Sequence, residues 1–298
     1  MRYGNSLSRK LFLGINYSFL AVASVICLLP LVHICMVSLS AGPAVAAGKV
    51  KLWPVDFTWS SYLFVVKSEA FVKSFFVSLQ RVFLGVGVNM LLIVLTAYPL
   101  SKEKGVFKAR GVYVWFFLIT ILFSGGLIPW YMVIKYTGLM DKIWALIIPG
   151  ALPVFSMVVM LNFFRGLPKE LEEAAFIDGA GYWKTLWRIF IPLSKPSLAT
   201  VALFCIVNHW NSWFDGLILM NRPEHYPLQS YLQTVIINPE VFFKNMMGNS
   251  SLQSVLQYVN NRTTKAAQIF VATIPVLITY PFLQKYFTTG LVLGSVKG

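Results

Sequence analysis

The sequence predicts an all-α, polytopic membrane protein with six transmembrane helices. Of its 298 residues, 57% are hydrophobic and only 12% are charged, whereas a soluble domain is about 25% charged. Six apolar runs each approach or exceed the roughly 20 residues that a membrane-spanning helix needs. A soluble globular protein and a disordered chain are therefore excluded. A disulfide scaffold is excluded as well, since the three cysteines all lie in apolar runs.

The predicted segments follow one another with both termini on one side of the membrane. They are a cytoplasmic N-terminus at 1–10, a first transmembrane helix at 11–39, an outer segment at 40–71, a five-helix transmembrane core at 72–288 and a cytoplasmic tail at 289–298. The core has apolar runs at about 72–100, 112–131, 143–164, 196–220 and 266–288, with a cytoplasmic loop at 165–195 and an outer segment at 221–265.

The first run has an alternative interpretation, because it ends near Ala44-Val45-Ala46, which mimics a signal-peptidase site. The apolar region of a signal peptide is about 7–15 residues long. This run is nearly twice that length, so we favour an uncleaved first span.

Basic residues outnumber acidic residues by 25 to 11, which gives a net charge of +14. In a soluble protein such an excess indicates nucleic acid as a partner, but in a membrane protein it follows from the positive-inside rule. With both termini inside, the cytoplasmic segments hold 14 basic residues in about 66, and the outer segments hold 10 in about 90. The bias predicts an N-in, C-in orientation in the lipid bilayer and no nucleic-acid partner.

The chain shows no catalytic motif or energy source of its own. It contains no P-loop, no H-E-x-x-H, no metal-ligand spacing and no credible Ser/His/Asp set, so we predict that it is not an enzyme. Uphill transport would then draw on an ion gradient or on a partner. An ion-coupled secondary transporter needs carboxylates or broken helices at mid-membrane, and only Asp215 lies near a span.

The cytoplasmic loop at 165–195 predicts two short helices separated by a turn. Pro168 suits the first turn of a helix, and the acidic residues that follow it favour a helix N-terminus. Gly179 and Gly181 then end the helix, and an amphipathic pattern resumes with Trp183, Leu186, Trp187 and Phe190. An amphipathic surface helix without a partner is the alternative interpretation.

The same loop carries a spaced motif: Glu173-Ala174-Ala175, three residues, Gly179, nine residues, then Ile189-x-Ile191-Pro192. This motif resembles the EAA loop of ABC importer permeases, with Ile in place of the more usual Leu before the proline. The resemblance extends over nearly the whole chain. It is closest to the sugar-importer permeases of the maltose-type class, in the branch of LplC-like and YtcP-like permeases.

The resemblance implies an ABC type I importer (MetI-like) permease fold in a bacterial-type inner membrane, and transport of oligosaccharides. It implies a second, different permease chain, two ATP-binding subunits that hold ATP and Mg, and an extracytoplasmic sugar-binding protein; no cofactor is expected on this chain. The residues expected to couple to the ATPase are Glu172, Glu173, Ala174, Ala175, Asp178, Gly179 and Ala180. Lys297 and Gly298 of the tail are weaker candidates for the same contact.

The fifth run contains the densest polar and aromatic cluster of any span. The residues predicted to line the substrate pathway there are Asn208, Trp210, Asn211, Trp213 and Asp215, because polar groups in a bilayer usually face a cavity and aromatic faces suit sugars. The alternative is an interfacial aromatic belt with amides bonded to neighbouring helices. His209 is expected to be a packed, hydrogen-bonded histidine rather than a ligand.

Arg81 is the sixth predicted pathway residue. It lies 18 residues before Pro99, or roughly 27 Å along a helix, which places it near the outer boundary of the membrane core. Either it snorkels to the interface, or it lines an outer vestibule and attracts an anionic substrate. Since the outer segments hold 10 basic and 6 acidic residues, we hypothesise an acidic cargo such as a uronate oligosaccharide.

Overall fold

The computed structural model describes residues 7–237 and 260–293, and these are helical with no strand beyond one isolated bridge between Ser40 and Phe57. The all-α prediction is confirmed. The α-helices are α1 (Leu7–Ser38), α2 (Gly42–Ala46), α3 (Ser60–Lys67), α4 (Glu69–Ser101), α5 (Arg110–Leu122), α6 (Leu127–Tyr136), α7 (Val154–Gly166), α8 (Glu170–Ile177), α9 (Tyr182–Thr185), α10 (Ile191–Leu193), α11 (Lys195–Asn211), α12 (Phe214–Leu219), α13 (Leu228–Ile237) and α14 (Asn261–Leu293). The predicted tail contacts Lys297 and Gly298 lie outside the described residues.

Within the described residues, two helices, α1 and α4, are each long and apolar enough to cross a membrane. Three bent helix pairs raise the number to as many as five if each pair counts as one span. The sixth predicted run, 266–288, lies within α14, which is 33 residues long. The 32 residues of α1 match an uncleaved span better than the short apolar region of a signal peptide.

Three predicted runs are broken rather than continuous. Run 112–131 is divided between α5 and α6, whose axes differ by 116°, and Gly126 at the break has a φ of +86°, which glycine adopts readily. Two 3₁₀ turns, Ile143–Leu146 and Ile148–Gly150, precede α7. Run 196–220 is interrupted between Asn211 and Phe214. Treating each run as one span missed these breaks, although Ser124-Gly125-Gly126 and Asn211-Ser212 interrupt two of the runs.

The chain divides into two compact units. The first comprises Met1–Glu69 and Thr234–Thr273. In it, Ser38 Oγ lies 2.6 Å from the Tyr62 hydroxyl, and Asn260 Nδ2 donates to the Gly42 carbonyl at 2.7 Å. The apolar side chains of α1 are largely exposed on the chain, as expected of a helix that meets lipid or another subunit.

The second unit comprises Ala70–Gln233 and Ile274–Gly298 and holds all the predicted site residues. Its core joins the C-terminal half of α4 to α7, to a π-helical turn at Leu186–Phe190 and to α11. Tyr98, Phe164 and Phe190 form a cluster of rings whose centroids lie 5.0–6.2 Å apart. Because lipid offers little hydrophobic drive between helices, such close packing holds them together.

Candidate functional site

The predicted coupling segment forms a short helix with well-defined ends. Helix α8 begins at Glu170, after Pro168, and its first turn holds three acidic residues next to the positive end of the helix dipole. It ends at a turn in which Gly179 has a φ of +74°. The amide of Ala180 donates to the carbonyl of Ala175 at 2.8 Å and closes the turn. The helix–glycine–helix pattern predicted from sequence is confirmed for residues 170–185.

The predicted coupling residues lie on two different faces of this helix. Those exposed on the chain are Glu173, Ala174, Asp178 and Gly179. Ala175 is buried against the unit, and Glu172 and Ala180 are half-buried. The exposed set forms a small-residue, acidic surface, which we call the docking face. That these residues couple the permease to an ATPase stays a prediction.

Glu172 is held by a residue that sequence analysis missed, Lys102. The Nζ atom of Lys102 donates to the carboxylate of Glu172, 2.7 Å from each oxygen. It also lies 3.9 Å from the centroid of the Tyr98 ring and 4.2 Å from that of Phe190, within the range of a cation–π interaction. Lys102 is only 8% exposed. Burial lowers the pKa of this amine, and the Glu172 carboxylate opposes that shift.

Two further contacts join the end of α4 to the segment around α8. Arg165 donates from Nη2 to the carbonyl of Leu100 at 3.2 Å, and Lys169 forms an ion pair with Glu103. Lys169 and Glu103 are both well exposed. The hydrogen bond from Lys169 lowers the pKa of Glu103, and the same bond raises the pKa of Lys169.

Two cavities flank Lys102. One of about 290 Å³ is mostly apolar, and its lining includes Lys102, Phe107 and Trp183. The other, of about 490 Å³, lies on the side of α8 and is lined by Glu172 and Glu173 among others. The coupling helix therefore borders open space on the side of Glu172 and Glu173, while Ala175 is buried on another side.

Arg81 and Asp215, both predicted pathway residues, are partners in a buried ion pair. Arg81 donates through both terminal nitrogens to the Asp215 carboxylate. It also approaches the carbonyls of Ser212 at 3.4 Å and Leu146 at 3.5 Å. Arg81 is 3% exposed, so it neither snorkels to the interface nor presents a free charge to cargo. We call this set the polar junction; it bridges α4, the 3₁₀ turn at Ile143–Leu146 and the break between α11 and α12.

Asp215 is bonded on its own side of the break as well. Its Oδ1 atom accepts from the Ser212 hydroxyl at 2.8 Å and from the Gly216 amide at 2.9 Å. The break therefore frees backbone groups that a half-buried carboxylate and a buried guanidinium satisfy together, as a broken helix in a membrane requires.

His209 packs against α4 at Gly85 and Asn89, one to two turns after Arg81. The side-chain amide of Asn89 is oriented so that Nδ2 donates to the carbonyls of Gly85 and Ala151 and the oxygen accepts from His209 Nε2–H, each at 3.1 Å. A Cβ atom on Gly85 would lie 2.5–2.8 Å from ring atoms of His209. The expectation of a packed, hydrogen-bonded histidine agrees with this geometry.

The other predicted pathway residues divide between surface and interior. Asn208, Asn211 and Trp213 are exposed, whereas Trp210 is buried with its ring 5.8 Å from that of Phe75. Phe204 is exposed one turn before Asn208. Because positions three and four apart share a helix face, Phe204, Asn208 and Asn211 form an amide-and-aromatic stripe on α11.

Asp141 connects the turn before the first 3₁₀ turn to the segment that follows α12. Its amide donates to the Leu219 carbonyl at 2.9 Å, and its Oδ1 atom lies 3.0 Å from the amide of Asn221 and 2.8 Å from His225 Nδ1. Burial by itself would raise the pKa of Asp141, but these hydrogen bonds outweigh it, so the pKa lies below its ordinary value.

Comparison with known proteins places the chain in a family. A family model described as "Binding-protein-dependent transport system inner membrane component" matches residues 2–292. The chain is 36% identical to the polygalacturonan/rhamnogalacturonan transport system permease protein YtcP of Bacillus subtilis (strain 168), over 98% of this chain and all of that protein. It is 37% identical to Protein LplC of the same strain, over 99% of this chain and 97% of that protein.

A solved structure agrees with these relatives. It is the crystal structure of a bacterial ABC transporter involved in the import of the acidic polysaccharide alginate, with a TM-score of 0.85 and 33% identity over 95% of this chain and 99% of that one. Family membership selects an ABC importer over the ion-coupled alternative. It also assigns ATP hydrolysis to partner subunits rather than to this membrane chain. The chain thus belongs to the inner membrane permease components of binding-protein-dependent ABC transport systems.

Proposed function

We propose that this permease imports acidic oligosaccharides and forms one half of their pathway. The observation that carries the proposal is the docking face of α8, which is exposed on one side and anchored to α4 by Glu172 on the other. A surface that is both accessible and mechanically attached is what an ATPase subunit needs in order to move the spans.

The proposed assembly contains a second, different permease chain, two ATP-binding subunits and an extracytoplasmic sugar-binding protein. ATP and Mg belong to the ATP-binding subunits, and this chain binds no cofactor. The exposed stripe of Phe204, Asn208 and Asn211 supports a second permease, because amides in a bilayer need a polar pathway or a partner helix opposite them. Trp213 is exposed near the same break and suits stacking on a sugar.

The acidic nature of the cargo is supported by the relatives rather than by a free charge on this chain. Two proteins at 33% and 36% identity carry names that refer to alginate and to polygalacturonan. Arg81, by contrast, is already neutralised by Asp215. We therefore assign selection for charge to the binding protein and the partner permease, and assign to this chain neutral contacts along the pathway.

The proposed orientation is N-in and C-in. The contacts support it, since Lys102 and Glu103 meet Glu172 and Lys169 on one side, while Asp141 meets the 221–225 segment on the other. The segments that share a side are those that the basic-residue count groups together. Labelling single cysteines at 104 and 222 with an impermeant maleimide in intact cells tests it: only position 222 should react.

Cargo class is tested with the purified assembly in lipid vesicles. Binding protein loaded with galacturonate or alginate oligomers should stimulate vanadate-sensitive ATP hydrolysis at least tenfold more than protein offered maltodextrins of equal length. Equal stimulation by acidic and neutral oligomers would contradict the acidic cargo.

The docking face is tested by reversing one charge. Glu173→Lys should release the ATP-binding subunits, because a cation would replace the exposed carboxylate at the contact. Glu170→Lys is the matched control, since Glu170 is also an exposed acid on α8 but lies outside the motif. Co-purification of the ATP-binding subunits is the measurement, and their retention by Glu173→Lys would contradict the proposed docking.

A further inference from the structure

We propose that Lys102 is a positioning residue that locks the coupling helix α8 to α4, so that movement of α8 is delivered along α4 to the polar junction. The proposal rests on the proposed function of α8 as the surface that ATP-binding subunits move. It adds the internal connection through which that movement reaches the pathway.

The first observation is how completely Lys102 is enclosed. Its amine contacts both oxygens of Glu172 and two aromatic faces, those of Tyr98 and Phe190. These groups come from α4, from α8 and from the π-helical turn that follows it. A single cation therefore fixes three elements at one point. A buried cation that keeps its partner in one geometry resists displacement, since separating the pair leaves the enclosed Lys102 amine without its counter-charge.

The second observation is that α4 is continuous from this point to the polar junction. It runs unbroken from Glu69 to Ser101 and is followed directly by Lys102. Arg81 lies roughly 30 Å away along the same helix, where it is bonded to Asp215 and close to the Ser212 carbonyl. The continuous helical segment between Arg81 and Ser101, with an ion pair near each of its ends, would carry a displacement of α8 to the break between α11 and α12. Such packed elements with discrete arrangements are the physical basis of coupling between distant sites.

The third observation is a matched pair nearby. Lys169 and Glu103 also connect the α8 segment to the end of α4, but their side chains are 72% and 67% exposed. An exposed ion pair contributes little because water screens it. Variants of the two pairs therefore distinguish the effect of losing a buried ion pair from the effect of losing any charge in this region.

The experiment compares variants of the full assembly in lipid vesicles, including its binding protein. The readouts are the stimulation of ATP hydrolysis by loaded binding protein and the sugar imported per ATP hydrolysed, each normalised to the amount of assembled complex. Lys102→Met should lower stimulation at least tenfold and sugar per ATP at least fivefold while basal hydrolysis persists. Lys102→Arg, which keeps the cation and its reach, should retain more than half of both.

Lys169→Met and Glu103→Gln are the controls and should change both ratios less than twofold. Wild-type ratios in Lys102→Met would overturn the proposal, and so would an equal loss in Lys169→Met. If Lys102→Met fails to assemble, Glu172→Gln replaces it, because glutamine keeps the shape and one acceptor of Glu172. Failure of both to assemble would also overturn the proposal, since the pair would then serve assembly rather than transmission.

These outcomes are separate from a failure of the proposed function. A wild-type assembly that acidic oligosaccharides do not stimulate would count against the cargo, and retention of ATP-binding subunits by Glu173→Lys would count against docking. The Lys102 proposal is judged only by the ratio of each variant to wild type, with whichever cargo stimulates the wild type.

Discussion

The two polar clusters on α4 each contain a buried ion pair, but they differ in what surrounds it. At the polar junction, Arg81 and Asp215 are enclosed by backbone groups of broken helices. At the C-terminal end of α4, Lys102 and Glu172 lie beside aromatic rings and adjoin cavities. The first arrangement provides partners for the backbone groups freed by the helix break, because an unpaired polar group in a membrane is costly. The second leaves one face of α8 exposed. An ion pair thus stabilises a helix break in one place and joins α8 to α4 in the other.

The largest expected effect is at the polar junction. Arg81→Ala leaves the Asp215 carboxylate without its cation and removes the donor near two backbone carbonyls. We expect a loss of about 3–5 kcal/mol, the usual cost of breaking a buried pair, seen as a lower thermal unfolding temperature and lower yield of the assembly. Arg222→Ala removes an arginine paired with Asp141 but 70% exposed, and it should cost no more than about 1 kcal/mol.

Measuring Lys102→Met in the same unfolding assay compares the stability contributions of the two ion pairs. Glu172 lines the larger cavity, which gives its freed carboxylate space to turn, whereas the Arg81–Asp215 pair also holds backbone groups at the helix break. We therefore expect a smaller loss of stability than for Arg81→Ala, with the main effect on coupling. A loss of stability in Lys102→Met equal to or greater than that in Arg81→Ala would contradict this difference between the two ion pairs.

An intermediate effect is expected where α4 touches His209. Gly85→Ala places a Cβ atom 2.5–2.8 Å from the imidazole, so the ring or the helix must shift at a cost of about 1–3 kcal/mol. Gly87→Ala is the control, because nothing lies within 4 Å of its Cβ position and alanine favours helix. Equal thermal stability of the two variants would show that α4 and α11 do not pack as closely as described.

The smallest effect is expected at the turn that contains Asp141, and it depends on pH. The folded pKa of Asp141 is depressed, so its contribution to stability is complete above the ordinary value of 3.8 and is lost as the pH falls through the lower folded value. Asp141→Asn, which tolerates the left-handed backbone at this position, should lower stability at neutral pH and weaken the acid dependence below pH 4. Thermal unfolding from pH 7 to pH 3 measures both. An unchanged acid dependence would show that Asp141 is not held as described.

The predictable parts of the site are those that depend on neighbours in sequence. The glycine turn at Gly179 and the acidic start of α8 were both predicted, because backbone preference and helix dipole act within a few residues. Lys102 was not singled out. It stands among other basic residues of a cytoplasmic loop, and nothing in its local sequence marks it as the buried member. Only its distant partner Glu172 and the ring of Phe190 distinguish it.

Arg81 and Asp215 show the same limit, because their roles depend on a pairing that the local sequence does not reveal. Both were predicted as pathway residues, yet their pairing changes what each can do, because a neutralised guanidinium no longer attracts an anion. Their separation of 134 positions is invisible to periodicity, as is the helix break that brings their backbone neighbours together.

The sequence by itself determined the membrane-helical class, the permease family and the coupling motif, since each rests on composition or on spacing within one segment. The tertiary structure alone decided which charges are neutralised, which face of α8 remains open and where the spans bend. Those properties depend on which distant groups share a low-dielectric interior, where a charge must find a partner. Local sequence sets the available groups, and packing sets their pairs.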